Sequence, residues 1–256
     1  MPNHSLSRKF WTSAGALPVA AFLILVPILH AQESSATLES PFLLAALNTL
    51  FLCSSPLLVA YLAAKSHQST GVFAFLAAGC GLVFFGVSSL YAGWVMPLAG
   101  GPNPTVTLHN LGSLLAGACQ FVGAHLFLRE LMSAAAARPR VWRYEMLYAG
   151  IAVLVSVMAV LAFQRQLPVF FDPGSGPSPL RQLVLGGAIV LFAVAGLLFV
   201  EIYTATKTAF AYWYGLALWL IAIGLAGVLL QHSVGGALGW TGRAAQYLGS
   251  VYFLLA

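Results

Sequence analysis

The stretch that decides the fold is residues 72–96, which reads VFAFLAAGCGLVFFGVSSLYAGWVM and contains no charged side chain. An α-helix needs about 20 apolar residues to cross the hydrocarbon core of a bilayer, and this stretch is longer than that. A transmembrane β-strand needs only about 10 residues, in which apolar and polar side chains alternate. Alternation of that kind is not visible here, so the stretch predicts a transmembrane helix.

Similar apolar runs recur along the whole chain, which is 60% hydrophobic and 7% charged, against roughly 25% charged residues in a soluble domain. We therefore predict an all-α, polytopic integral membrane protein with about eight transmembrane helices, formed by residues 1–256 as a single transmembrane domain. The predicted spans are 11–30, 41–64, 72–96, 108–131, 142–163, 182–204, 208–230 and 240–256.

The orientation in the membrane follows from the basic residues, which concentrate in cytoplasmic loops. Eight of the eleven fall before span one or in alternate loops: Arg8, Lys9, Lys65, Arg129, Arg138, Arg140, Arg143 and Lys207. We expect that side, and both termini with it, to be cytoplasmic. The first span also resembles a signal peptide that ends near His30; its cleavage would leave the remaining topology unchanged.

Several function classes fit the composition poorly. The net charge of +5 does not indicate nucleic-acid binding, because the basic residues sit at the ends of apolar spans. Cys53, Cys80 and Cys119 lie inside apolar runs, where we expect them to be packing residues. No common hydrolase or nucleotide-binding motif is present, so we expect no enzyme activity, and the residues indicate no cofactor and no metal.

The residues that could bind a ligand gather at the predicted outer face, where six polar or aromatic side chains share one depth. They are His109, Asn110, Gln231, His232, Trp240 and Arg243. Two interpretations remain open, a ligand pocket or separate side chains that each face water. A metal or haem site is a weaker third interpretation. The absence of Asp and Glu from the middle of every span argues against ion-coupled transport.

The hypothesis of a ligand pocket depends mainly on Arg243, because its guanidinium stays charged and needs water, a carboxylate or an anion as a partner. One alternative is a salt bridge to Glu39 or Asp172, which would make Arg243 a structural clamp. The other is an open cavity shared with His109 or His232, in which Arg243 would bind an anion or a lipid headgroup.

Four segments carry a resemblance to a known family: GPNPTVTLHN at 101–110, GSGPSPLR at 174–181, LQHSVG at 230–235 and GWTGRAAQYLGSVY at 239–252. Together with the spans from about residue 40 onward, they resemble the multi-span N-terminal region of membrane-bound sensor histidine kinases, which is similar to membrane-associated sensor (MASE-type) domains. The resemblance implies a bacterial or archaeal inner membrane, a homodimer, and a cytoplasmic output domain after the last span. It assigns no ligand-binding or catalytic residue.

The leading functional hypothesis is therefore a sensory input module for signal transduction. Its expected partners are the lipid bilayer, a small-molecule or lipid ligand, and a C-terminal output domain such as a histidine kinase, which is not part of these 256 residues. The alternative is a small-solute transporter or channel, which eight spans would permit. No partner of the nucleic-acid class is expected.

Overall fold

The protein is described by a computed structural model that covers residues 4–32, 40–99, 102–132, 143–172, 176–231 and 235–256. It is an all-α protein, as the sequence predicts. In chain order the elements are α1 (His4–Ala31), α2 (Pro41–Leu47), a π-helix (Asn48–Ser54), α3 (Ser55–Thr70), α4 (Phe73–Ala99), α5 (Pro102–Met132), α6 (Tyr144–Phe163), β1 (Phe171–Asp172), β2 (Gly176–Pro177), α7 (Pro179–Thr206), α8 (Ala209–Leu230) and α9 (Ala237–Leu255).

The described residues form eight helical rods, because α2, the π-helix and α3 run on without a break. Seven of these rods are long and apolar enough to cross a membrane, which confirms a polytopic membrane protein. The eighth rod is α9, which is less apolar because it carries Arg243 and Gln246. Its buried residues recur every three or four positions, so one face of α9 packs against the other helices.

Four helices begin earlier than the predicted spans, and the first of them is α1, which begins at His4 instead of 11. Helix α5 begins at Pro102 instead of 108, and α7 begins at Pro179 instead of 182. Proline suits a first helical position because its missing N–H would have no intrahelical partner there. Helix α9 begins at Ala237 instead of 240. As a result, His109 lies about two turns inside its helix, deeper than the sequence predicts.

Helices α4 and α8 form the centre of the bundle, with 78% and 67% of the residues in their most apolar stretches buried. At 17% and 22%, α1 and α6 are the outer helices. Helices α8 and α9 approach most closely at glycines: a Cβ added at Gly242 would lie 2.6 Å from the carbonyl oxygen of Gly224. Small residues permit such close packing between membrane helices.

The bundle has two ends. We call the side of the loops after α3, α5 and α7 the basic end, and the side of the loops after α1, α4, α6 and α8 the pocket end. At the pocket end β1 and β2 pair as a short antiparallel hairpin. The side-chain carbonyl of Asn103 accepts hydrogen bonds from the backbone N–H groups of Phe170 and Phe171, both at 2.9 Å. These bonds fasten the loop between α6 and α7 onto the start of α5.

Candidate functional site

A cavity of about 40 Å³ lies at the pocket end, between α2, the π-helix, α4, α5, α8 and α9. We call it the polar cavity. Its lining residues are Leu44, Asn48, Leu52, Ala92, Pro102, Thr105, Val106, His109, Asn110, Val228, Gln231, Arg243 and Gln246. Seven of these carry polar side chains, although the surrounding helices are overwhelmingly apolar.

Four of the six residues that the sequence singles out line this cavity together: His109, Asn110, Gln231 and Arg243. Trp240 does not line it, but its ring lies beneath the guanidinium of Arg243, with 5.3 Å between the guanidinium carbon and the ring centroid. His232 lies outside the described residues. The contact with Trp240 is a cation–π interaction, which holds the arginine head group beside the cavity.

The two alternatives for Arg243 can be compared with this geometry. The side chain is half-buried and shares the cavity with His109, as the open-cavity alternative requires. Of the two carboxylates in the clamp alternative, Glu39 lies outside the described residues and Asp172 is exposed. The clamp alternative stays a prediction, and the structure shows only that Arg243 is a lining residue of the cavity.

Three polar lining residues were missed by sequence reasoning: Asn48, Thr105 and Gln246. Gln246 could have been found, since it lies three residues after Arg243 and so on the same helical face. Asn48 offered no such signal, because a neutral side chain inside an apolar run is compatible with any orientation. Thr105 fell before the predicted start of span four.

Asn48 is held by hydrogen bonds at both ends of its amide. Its nitrogen donates to the backbone carbonyl of Ser89 at 3.3 Å, and its oxygen accepts from the hydroxyl of Tyr247 at 3.1 Å. These bonds connect the π-helix to α4 and α9. Asn48 therefore fixes the shape of the cavity wall.

Four other lining residues have buried polar atoms without a protein partner. These atoms are the amide nitrogen and oxygen of Asn110, the amide nitrogen and oxygen of Gln246, the amide oxygen of Gln231 and the hydroxyl of Thr105. Asn110 and Gln246 are almost completely buried, at 1% and 0% exposure. An unmade hydrogen bond of a buried group costs about 1–3 kcal/mol. A wall with this many open donors and acceptors suits a polar ligand better than an apolar one.

Arg181 stands directly behind the wall and is only 1% exposed. Its Nη2 donates to the backbone carbonyl of Val228 at 2.7 Å, and Val228 lines the cavity. Its Nε has no partner. The sequence placed Arg181 in a loop before span six, whereas the early start of α7, capped by Ser178, carries it into the bundle.

The π-helix is an irregular stretch of backbone in the cavity wall. It spans Asn48–Ser54, and its residues Asn48 and Leu52 line the cavity. The hydroxyl of Ser54 donates to the backbone carbonyl of Thr49 at 2.8 Å. The hydroxyl of Thr49 accepts a hydrogen bond from the indole N–H of Trp94 at 3.0 Å. Single turns of π-helix are rare and frequently occur at functional sites.

The thiols and the histidines give no second candidate site. Cys53 and Cys80 are buried and Cys119 is half-buried, and all three are free thiols. Across the described ranges, no three His, Cys, Asp or Glu side chains converge as metal ligands. The polar cavity is thus the arrangement with the most binding chemistry in the described part of the chain.

Comparison with models of protein families, with curated proteins and with solved structures finds no match for this chain.

Proposed function

We propose that this chain is a membrane-embedded sensory input module, in which a small polar ligand binds in the polar cavity and shifts α9. The observation that carries the proposal is the placement of α9. One end of this helix contributes Arg243 and Gln246 to the cavity, and the other end, at Leu255, lies at the basic end of the bundle. A rigid helix that spans both ends can transmit a small displacement from one to the other.

The packing of α9 supports such a movement. Close to the cavity, its contact with α8 is formed by the backbones of Gly224 and Gly242. Large rings pack between the two helices only farther toward the basic end, where Tyr214 contacts Phe253. A ligand shifts an equilibrium only when it binds the two arrangements of the protein with different affinity. The open hydrogen-bonding atoms of Gln246 supply that difference, because a ligand would bind them in only one rotation of α9.

The output in this proposal is a cytoplasmic signalling domain, such as a histidine kinase, that receives the displacement of α9. This requires the basic end to face the cytoplasm. The three loops of the basic end contain Lys65, Arg143 and Lys207, or lie next to them, which agrees with the preference of basic residues for the cytoplasmic side.

The orientation can be tested by cysteine labelling in a background in which the three native cysteines are alanine. A thiol introduced at Gln166, which is exposed at the pocket end, should react with an impermeant reagent added outside the cell. A thiol at Ser69, exposed at the basic end, should react only after the membrane is opened. The reverse result would contradict a cytoplasmic basic end.

The transmission step can be tested by distances between spin labels at Ala205 and Leu255, which are exposed at the basic ends of α7 and α9. We expect Gln246→Leu, inside the cavity, to change the distance distribution of the protein in lipid nanodiscs. The matched control is Ala244→Leu on the exposed side of the same helix. An unchanged distribution in Gln246→Leu would contradict transmission through α9.

A small-solute transporter is the second candidate, and a specific observation favours it. A further cavity of about 160 Å³ opens at the basic end, with Phe210, Tyr214 and Phe253 among its lining residues. Cavities at both ends of one bundle are expected of alternating access. Uptake of radiolabelled formate into proteoliposomes, abolished by Gln246→Leu, would favour this candidate over the sensor.

A further inference from the structure

The charge balance around the polar cavity identifies the class of ligand. Arg181 is a buried cation, and within the described ranges no carboxylate pairs with it; its one hydrogen-bond partner is the carbonyl of Val228. A buried ion costs several kcal/mol unless a counter-ion offsets the loss of hydration. The arrangement therefore favours an anion close to Arg181.

A second positive charge strengthens this preference. Arg243 lines the cavity together with His109. Among the lining residues that the structure describes there is no Asp or Glu. The first turn of α5, with Pro102 and Thr105, also faces the cavity, and the N-terminal end of a helix favours negative charge.

Hydrogen-bond donors are present at the same place. Asn110, Gln246 and Thr105 line the cavity, and their amide nitrogens and hydroxyl have no protein partner. Side-chain amides can turn either of their ends toward a ligand, so both can donate to an anion. Fixed positive charge combined with open donors is the chemistry of an anion site.

The size of the cavity limits the ligand. A water-sized probe needs about 10–15 Å³ of such volume, so a cavity of about 40 Å³ accommodates roughly three or four non-hydrogen atoms. A phosphodiester headgroup with both of its ester arms is larger than that. Chloride, nitrate and formate are of the right size.

We propose that the polar cavity binds a small monovalent anion from solution, which neutralises Arg181 and contacts Arg243, Asn110 and Gln246. This inference rests on the proposed function, since it names the ligand class of the same cavity. It makes the signal an anion and not a neutral solute.

The experiment uses the full chain in phosphatidylcholine nanodiscs and measures the thermal unfolding midpoint at constant ionic strength, with gluconate as the background anion. Sodium formate should raise the midpoint with a saturating dependence, because a ligand that binds only the folded state stabilises it. Formamide has the same size and shape without the charge and should leave the midpoint unchanged. Equal stabilisation by both would overturn the anion inference while the proposed polar site survives.

Variants locate the effect. Arg243→Gln should raise the apparent Kd for formate at least about tenfold, the loss expected when a charged hydrogen bond disappears. Arg181→Gln removes the buried charge behind the wall and should also raise the Kd, because that charge attracts the anion. Arg181→Lys keeps the charge and should keep most of the affinity. Arg165→Gln is the matched control, because Arg165 is exposed at the same end of the bundle and does not line the cavity.

Two outcomes would overturn the inference in different ways. An unchanged Kd in both Arg181→Gln and Arg243→Gln would place the anion elsewhere. A midpoint that responds to phosphatidylglycerol in the nanodisc, and not to formate, would identify a lipid headgroup as the ligand. Should Arg181→Gln fail to fold, the half-buried Arg243→Gln provides the same comparison, and loss of formate binding there supports the anion site.

Discussion

Two sets of buried amide side chains, Gln120 in the basic half of the bundle and Asn110 and Gln246 at the pocket end, differ in their hydrogen bonds. Toward the basic end, the hydroxyl of Tyr214 donates to the Gln120 amide oxygen at 2.9 Å, and the Gln120 nitrogen donates to the carbonyl of Ala78 at 3.1 Å. At the pocket end, both amide atoms of Asn110 and Gln246 remain without a protein partner. Burial of a polar side chain in a membrane helix thus has two meanings, and only its hydrogen bonds tell them apart.

The packing differs in the same way. Around Tyr214 the rings of the basic half are in close contact, with centroid distances of 4.7 Å to Phe199 and 4.8 Å to Phe253. Aromatic pairs in such geometries stabilise a fold beyond the area that they bury. The cavity at the basic end is lined partly by these rings, whereas the polar cavity at the pocket end is lined by seven polar side chains. We interpret the basic half as the structural part of the protein and the polar cavity as its binding part.

The largest expected effect tests the structural role of the basic half. Phe199 is 1% exposed and touches Phe127, Phe210 and Tyr214. Phe199→Ala should lower the free energy of unfolding by about 2 kcal/mol or more, because the cavity that it leaves removes packing contacts. Chemical unfolding in detergent micelles measures this. Phe163→Ala, at a ring that is 55% exposed, should change much less, and equal losses would contradict the comparison.

A smaller effect is expected at the satisfied hydrogen-bond pair. Gln120→Leu leaves the buried hydroxyl of Tyr214 without its acceptor and should cost about 1–3 kcal/mol in the free energy of unfolding. The double variant Gln120→Leu with Tyr214→Phe removes both partners and should recover part of that loss. Additive losses in the same unfolding assay would show that the two side chains do not act as a pair.

The sharpest comparison lies inside the polar cavity, between two buried asparagines, of which one has hydrogen-bond partners and the other has none. Asn48→Leu breaks bonds to Ser89 and Tyr247 and should destabilise the fold by about 1 kcal/mol or more. Asn110→Leu removes two unpartnered atoms and should be neutral or stabilising. Unfolding midpoints of the two variants decide the question. A loss in Asn110→Leu as large as that in Asn48→Leu would remove the distinction between wall and binding residues.

The smallest effect is expected at the thiols. Cys53, Cys80 and Cys119 are free; Cys53 is buried, Cys80 belongs to the apolar core and Cys119 packs against that core. Replacing all three by alanine should leave the formate-dependent midpoint shift intact and change the unfolding midpoint only slightly, because each substitution removes a single sulfur atom. Loss of the formate response in that variant would show that the thiols contribute to ligand binding, which would contradict their interpretation as packing residues.

Much of the fold follows from the apolar runs, because a bilayer accepts only helices of sufficient length. The starts of α5, α7 and α9 were less accessible to sequence reasoning. Polar residues such as Thr105 and Arg181 lower the apparent hydropathy at the beginning of these helices, so the predicted spans start too late. Only the tertiary contacts show that these first turns continue into the protein interior.

The sequence by itself determined that the chain is a bundle of membrane helices. It also predicted that His109, Asn110, Gln231 and Arg243 lie toward the same end of the bundle, since position along a helix sets the distance from its end. The tertiary structure decided that these four face each other, that Gln246 joins them, and that Arg181 is buried behind them. Rotation about a helix axis depends on which neighbour each face packs against. In helices that are apolar on nearly every side, the sequence leaves that choice to packing between helices.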